Sequence, residues 1–168
     1  MNRVLCIFFF SLLWACNDGD LQIETIDFDD ISIQTCESTI TVNSNLFFKI
    51  NATEALILEL QNGLLKNEVS QDTIVSTVPG QSNLIYRIFS GSVTSAYFCD
   101  AIPLTEPTVL EEIEASNGEV RISTILNPAD STQFQHTIEL SNITLINEQG
   151  ERITDTRINA FGTVTTSQ

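Results

Sequence analysis

The sequence predicts a mainly β fold: a single antiparallel β-sandwich or small barrel with one short helix. Apolar and polar residues alternate with period two over much of the chain, a pattern typical of strands that bury one face. Turn-forming residues interrupt these segments at intervals of roughly 8 to 12 residues, the spacing found in sandwiches and barrels. Residues 21–168 also have a suitable length for one domain around one hydrophobic core.

The first strands are predicted from two kinds of apolar pattern. Period-two alternation runs through residues 21–42, which predicts strands with one buried face. Residues 46–50 and 55–60 are so rich in apolar side chains that we expect strands buried on both faces. Ala, Leu and Glu in the second run also favour a helix, but its short length and the Asn62-Gly63 stop favour a strand. Further strands are predicted over residues 73–78 and 83–90, with Pro79-Gly80 as the turn between them.

The one helix is predicted near residues 107–116. Pro107 suits the first turn of a helix, and Gly118 lies just beyond the predicted end. The apolar residues between them have the spacing of one helical face. Acidic residues near the start would interact favourably with the helix dipole.

The last third of the chain has the clearest alternation. A turn at residues 127–130 and another at 148–150 separate its apolar segments. This arrangement predicts a series of antiparallel hairpins. The predicted strands cover residues 120–124, 134–140 and 143–146, with one more beginning at residue 153.

Residues 1–15 have the composition of an export signal. Arg3 supplies one positive charge, and an apolar run from Val4 to Ala15 follows it. The run is about 12 residues long, whereas a membrane-spanning helix needs roughly 20. We therefore predict a leader that is removed rather than a permanent span. A buried core helix is the alternative, but its bulky side chains would need cover around the whole circumference.

The end of this run, Leu13-Trp14-Ala15-Cys16, resembles the lipobox of bacterial lipoproteins, with Trp14 in place of the small residue usual there. The resemblance implies diacylglycerol on the Cys16 sulfur and cleavage after Ala15. Residues 16–20 would then form the lipidated cysteine and a flexible acidic leash, followed by the β domain over residues 21–168. Two or three acyl chains on Cys16 would hold the protein stably on the membrane, because each buried methylene contributes about 0.8 kcal/mol to the free energy of membrane binding. An ordinary secretory signal is the alternative.

A wider resemblance rests on the lipidated cysteine predicted at residue 16, the acidic stretch after it, the strand pattern with Cys36 near its start, Phe48-Lys49-Ile50 and Tyr97-Phe98-Cys99. Over the whole chain, this combination resembles the small lipoproteins, with no assigned activity, that are abundant in Bacteroidetes. In that group, acidic residues directly after the lipidated cysteine look like a signal for passage to the outer face of the outer membrane. Residues 17–20 of this chain are similar to that pattern. The resemblance implies a cell-envelope location, as an outer-membrane lipoprotein displayed at the cell surface or facing the periplasm.

The cysteine count predicts one disulfide. Cys6 leaves with the leader and Cys16 takes lipid, so Cys36 and Cys99 remain. An even pair in an exported domain is typical of a disulfide, because the compartment is oxidising. Two free buried thiols are the alternative.

The charge balance restricts the partners. The chain has 22 acidic and 7 basic residues. Nucleic acid is excluded as a partner, because phosphate binding needs clustered Lys and Arg. An anionic lipid surface would also repel the chain. The acidity is typical of a soluble domain, so the lipid on Cys16 is the predicted contact with the membrane.

The sequence contains no catalytic grouping. His136 is the single histidine, lies on the same face as Phe134 and Ile138, and is predicted to be a half-buried histidine with its hydrogen bonds satisfied. No G-x-S-x-G elbow occurs. Glu111 and Glu112 are the kind of pair that glycosidases use, but neighbouring helical residues point in different directions.

Metal and glycan sites have only weak signals. The aspartates offer oxygen ligands to calcium, yet they lack the EF-hand spacing, so we expect solvated loops and neither metal nor cofactor. Asp72-Thr73-Ile74 and Asp130-Ser131-Thr132 resemble O-glycosylation sites of exported Bacteroidetes proteins, which implies a glycan on Thr73. Turn residues without a glycan are the alternative. The aspartates concerned are Asp18, Asp20, Asp27, Asp29 and Asp30.

Three functional hypotheses follow. The first is a non-enzymatic surface or envelope lipoprotein that binds a protein or polysaccharide partner, or has a structural role. The second is a hydrolase of glycan or cell-wall substrates that uses the acidic residues of the 106–114 region. The third is a calcium-dependent adhesion module. Converging carboxylates in a cleft would favour the second, and a closed sandwich with an apolar surface patch would favour the first.

Overall fold

The computed structural model describes residues 26–102, 104–147, 150, 152–153 and 159–167. Over these residues the chain is mainly β, a curled antiparallel sheet that forms a half-barrel with one short helix. The predicted fold class is confirmed. The elements are β1 (Leu46–Asn51), β2 (Glu54–Glu59), β3 (Ile74–Val78), β4 (Asn83–Phe89), α1 (Ser95–Cys99), β5 (Val109–Asn127), β6 (Asp130–Ile146), β7 (Arg152–Ile153) and β8 (Ala160–Ser167).

The sheet is organised around the long hairpin of β5 and β6. On the edge of β5 that faces away from β6, the strand pairs first with β4 and then with β3. On the edge of β6 that faces away from β5, the strand pairs with β8 and, near its end, with β7. The strand order is β1-β2-β4-β5-β6-β7, with β3 beside β5 and β8 beside β6. Strands that pass from one set of neighbours to another in this way let a sheet curl. The predicted turn at residues 127–130 connects β5 and β6, as Asn127 pairs with Asp130.

β1 and β2 are buried on both faces, as their apolar density predicts. Phe47, Leu56 and Leu58 belong to the main core inside the half-barrel. Phe48, Ala55 and Ile57 point to the opposite face and form a second cluster with Phe89 and Val93. Helix α1 covers this second cluster, with the rings of Phe48 and Phe98 stacked 4.6 Å apart.

The predicted helix near residues 107–116 is wrong, because this segment is the first part of β5. Ile113 and Ala115 are buried while Glu112, Glu114 and Ser116 are exposed, so the burial has the period of a strand. Pairing with β4, which includes an ion pair between Arg87 and Glu112, overrides the local helix preference. The short helix is instead α1, which contains Cys99.

Two other predictions are corrected. The alternation in residues 21–42 predicted strands, but over 26–42 the chain forms only an isolated bridge, between Gln34 and Phe48, and residues 21–25 lie outside the described part. The main core still includes or contacts the apolar side chains of this stretch, Ile26, Phe28, Ile31 and Ile33. The alternation therefore reflects burial of these side chains, and no strand ladder is needed to explain it. Residues 134–146 form the single strand β6 rather than two strands.

Helix α1 is five residues long, and the described residues contain no helix that is long and apolar enough to cross a membrane.

Candidate binding groove

A groove lies between β8 and residues 29–40, the stretch before β1, which we call segment 29–40. Its volume is about 640 Å³, within the range of small-ligand and peptide sites. Segment 29–40 forms one wall and β8 forms the other. The lining residues are Asp29, Ile31, Ser32, Ile33, Ser38, Thr39, Ile40, Lys49, Gln133, Ala160, Phe161, Gly162, Thr163, Val164, Thr165 and Ser167.

Segment 29–40 is held in place at three points. Gln34 exchanges two backbone hydrogen bonds with Phe48 of β1, of 2.8 and 2.9 Å. The side chain of Ile33 lies directly against Gly162 of β8, where a Cβ atom would come within 2.9 Å of it. Cys36 forms a disulfide with Cys99, which ties the segment to α1. The groove is therefore bounded by fixed backbone on both sides.

Lys49 lies at the floor of the groove. It is only 3 % exposed, and its Nζ donates a hydrogen bond of 2.8 Å to the carbonyl of Phe28. The same Nζ lies 5.6 Å from the centre of the Phe161 ring, a cation–π distance. Burial lowers the pKa of Lys49, and the negative charge of Asp29 partly offsets this effect. Burial of a charged ammonium costs free energy unless the charge is compensated, so this position needs an explanation.

The charge of Lys49 has no ion-pair partner among the described residues. The ion pairs of this part of the chain involve Lys66, Arg87 and Arg121. An ammonium has three N–H donors, and the carbonyl of Phe28 accepts one of them. No acceptor for the remaining donors lies among the described residues.

His136 is the centre of a buried polar network. Its Nδ1 and Nε2 atoms lie 2.8 Å from the hydroxyls of Thr124 and Thr166. The Thr166 hydroxyl in turn donates to the Oδ1 of Asn67, at 2.5 Å. The sequence predicted a satisfied, half-buried histidine. Its hydrogen bonds are satisfied, but the side chain is completely buried.

The stability of the fold is expected to fall as the pH decreases below about 6.5. Desolvation lowers the pKa of His136 from 6.5, so the unfolded chain binds a proton that the folded chain excludes. This contribution is complete above 6.5 and is lost as the pH falls towards the folded-state pKa. Urea unfolding between pH 7.5 and 5 measures it. His136→Gln, which does not titrate, should flatten this part of the profile, and an unchanged slope in that variant would contradict the assignment.

The structure confirms one predicted pair and leaves other sites as predictions. Cys36 and Cys99 form the disulfide. Thr73 is exposed just before β3, and its glycosylation stays a prediction. Cys16 and the rest of residues 1–25 lie outside the described residues, so the lipid anchor also stays a prediction.

Within the part of the chain that the structure describes, the acidic candidates from the sequence do not converge. Glu111 and Glu112 are neighbours in β5, so their side chains point to opposite faces, and Glu112 pairs with Arg87. Asp27, Asp29 and Asp30 are all exposed. Among the described residues, no three His, Cys, Asp or Glu side chains lie together as metal ligands.

Sequence reasoning missed the groove and Lys49. One signal was present: a charged residue stands in the run Leu46-Phe47-Phe48-Lys49-Ile50, which was predicted to be buried on both faces. A charge at a position that the pattern buries often marks a functional or strained site. The partner wall, β8, lies far along the chain and carries no comparable signal.

Comparison of the chain with protein-family models, curated proteins and solved structures finds no match. The function is therefore inferred from the groove and from the sequence.

Proposed function

We propose that this protein is a non-enzymatic binding module of the cell envelope, anchored by lipid on Cys16, and that its ligand occupies the groove between segment 29–40 and β8. One observation carries the binding site: the buried ammonium of Lys49 lines an open groove and forms no ion pair within the described residues. A buried charge without an ion-pair partner is costly, and a ligand acceptor would offset that cost.

The anchor follows from the sequence. Leu13-Trp14-Ala15-Cys16 at the end of the apolar leader resembles a lipobox, and the acidic leash over residues 17–20 separates the lipid from the β domain. An outer-membrane lipoprotein displayed at the cell surface fits this arrangement. The partner in the groove would be a protein or a polysaccharide.

The anchor is tested with Cys16→Ala. We expect this variant to move from the membrane fraction to the soluble fraction and to lose metabolic labelling with palmitate, because the acyl chains provide the membrane affinity. Cys6→Ala is the matched control and should remain membrane-bound and labelled. Membrane retention of Cys16→Ala would contradict the anchor.

The groove is tested by photo-crosslinking on intact cells. We expect benzoylphenylalanine at Ser38, an exposed residue of the groove wall, to give a discrete adduct. The same group at Val75, which is 44 % exposed on β3 away from the groove lining, is the control. Adducts of equal yield at both positions, or none at Ser38, would contradict a binding role for the groove.

A further inference from the structure

The outer edge of β8 has backbone groups that point into the groove. β8 pairs with β6 through the register Gln135↔Thr165 and Thr137↔Thr163. The carbonyl of Ser167 accepts a hydrogen bond of 2.9 Å from the side chain of Asn67, so it points away from β6. Backbone groups alternate in direction along an antiparallel strand, so those of Thr163 and Thr165 point away from β6 as well.

These outward groups have no partner in the described part of the chain. No backbone or side-chain hydrogen bond outside the strand pairs reaches the N–H or C=O of Thr163 or Thr165. Both residues line the groove. Two outward residues at alternate positions present two donors and two acceptors, which is the pattern that an added strand pairs with.

Lys49 lies at one end of this edge. Its Nζ is close to Phe161, near the start of β8, while Thr163, Thr165 and Ser167 continue along the groove. A carboxylate bound to Lys49 would therefore lie at the beginning of β8. If that carboxylate is a peptide C-terminus, the peptide runs opposite in direction to β8.

We propose that the groove binds an extended peptide as an additional strand along the free edge of β8, with a carboxylate of the peptide on the Nζ of Lys49; a C-terminal carboxylate there makes the added strand antiparallel to β8. This inference rests on the proposed function, because it specifies the ligand of the same groove. Thr163 and Thr165 pair with the peptide backbone, and Lys49 recognises its negative end. Ser32, Ser38 and Thr39 line the opposite wall and provide hydroxyl groups for polar groups of the peptide.

The groove fits a peptide better than a polysaccharide. Sugar rings pack their apolar faces on exposed aromatic rings, and the single aromatic residue of this lining, Phe161, is completely buried. An unpaired strand edge instead offers alternating donors and acceptors that match a peptide backbone. The chain is strongly acidic overall, so a buried positive charge in the groove gives local selectivity for one carboxylate rather than general attraction of anions.

The test uses the full-length protein purified in detergent and a mixture of eight-residue peptides with randomised side chains. Peptides that remain bound after gel filtration are quantified by mass spectrometry. We expect Thr165→Pro and Lys49→Met to retain at least tenfold less peptide than the wild type. Proline at residue 165 removes an outward N–H and leaves the pairing with β6 intact. Methionine at residue 49 keeps the length of the side chain and removes its charge.

A matched control separates the effect of the lost charge from general damage. Lys66→Met removes an exposed lysine outside the groove. It should retain peptide at the wild-type level. Peptide retention by Thr165→Pro at the wild-type level would overturn strand addition, and the same result for Lys49→Met would overturn carboxylate recognition.

Chemical variants of the peptides distinguish the source of the carboxylate and do not depend on the folding of any mutant. An amidated mixture without Asp and Glu should not bind. If an amidated mixture that contains Asp and Glu binds, the carboxylate on Lys49 belongs to a side chain. If that mixture does not bind, the carboxylate is the peptide C-terminus. Selected peptides are also methylated at one backbone nitrogen at a time. Methylation should abolish binding only when it falls on every second residue, because alternate N–H groups face β8. Equal effects at every position would overturn the strand geometry.

The failure of this inference is distinguishable from failure of the proposed function. If no peptide is retained while Ser38 still gives its crosslinked adduct on cells, the groove binds a ligand of another class and the peptide proposal is overturned. Retention of envelope polysaccharide in place of peptide would overturn it in the same way. If the Ser38 adduct is also missing, both the peptide proposal and the proposed binding role of the groove are overturned.

Discussion

Loss of the Cys36–Cys99 disulfide is expected to lower the free energy of unfolding by about 4 kcal/mol. The bond joins residues 63 positions apart, and opening it restores the conformational freedom of that loop in the unfolded chain. Reduction, or Cys36→Ser combined with Cys99→Ser, should therefore lower the melting temperature by roughly 10 °C. Calorimetry with and without reductant measures this change.

The disulfide also supports the groove. Cys36 belongs to segment 29–40, and Cys99 ends the helix that stacks on Phe48. Its loss should weaken ligand binding as well as stability, because one groove wall loses its covalent tie. Reductant added to the double variant should cause no further decrease. Alkylation of Cys36 and Cys99 in the native protein before reduction would contradict the bridge.

Gly118→Ala is expected to destabilise the fold by about 3 kcal/mol. Gly118 lies in β5 where the strand passes from β4 to β3, and its φ of 142° is a conformation that residues with a Cβ rarely adopt. A Cβ there would also lie 2.5 Å from the Cδ1 of Ile143 and 3.1 Å from the backbone of Ser141 and Ile143. The side chain can move, but the paired backbone of β6 cannot move freely.

Gly80→Ala separates the two causes. Gly80 also has a positive φ, of 114°, but no atom beyond its chain neighbours lies within 4 Å of the position that a Cβ would occupy. We expect a loss of about 1 kcal/mol from backbone strain alone. Chemical denaturation of both variants gives the difference. Equal losses would mean that the close approach at Gly118 costs nothing, which would contradict the tight packing of β5 on β6.

Local pattern was sufficient for strands whose burial is simple. The apolar density of β1 and β2 predicted burial on both faces, and the alternation around Phe134 and Ile138 predicted the inward face of β6. The segment 107–116 was misassigned because Glu-rich sequence with Pro107 suits a helix, and only its pairing with β4 decides for a strand. Alternation in residues 26–42 was present without a ladder, since a core can bury alternate side chains of an irregular segment.

The sequence by itself determined the β class and the disulfide pair, because period-two patterning and a count of cysteines are local or compositional properties. The proposal of a lipid anchor also rests on sequence alone, on the residues up to Cys16. Only the tertiary structure decided that segment 29–40, Lys49 and β8 form one groove. These residues are far apart in the chain, so no local pattern specifies their contacts; the curl of the sheet brings them together and leaves one strand edge and one ammonium facing the same space.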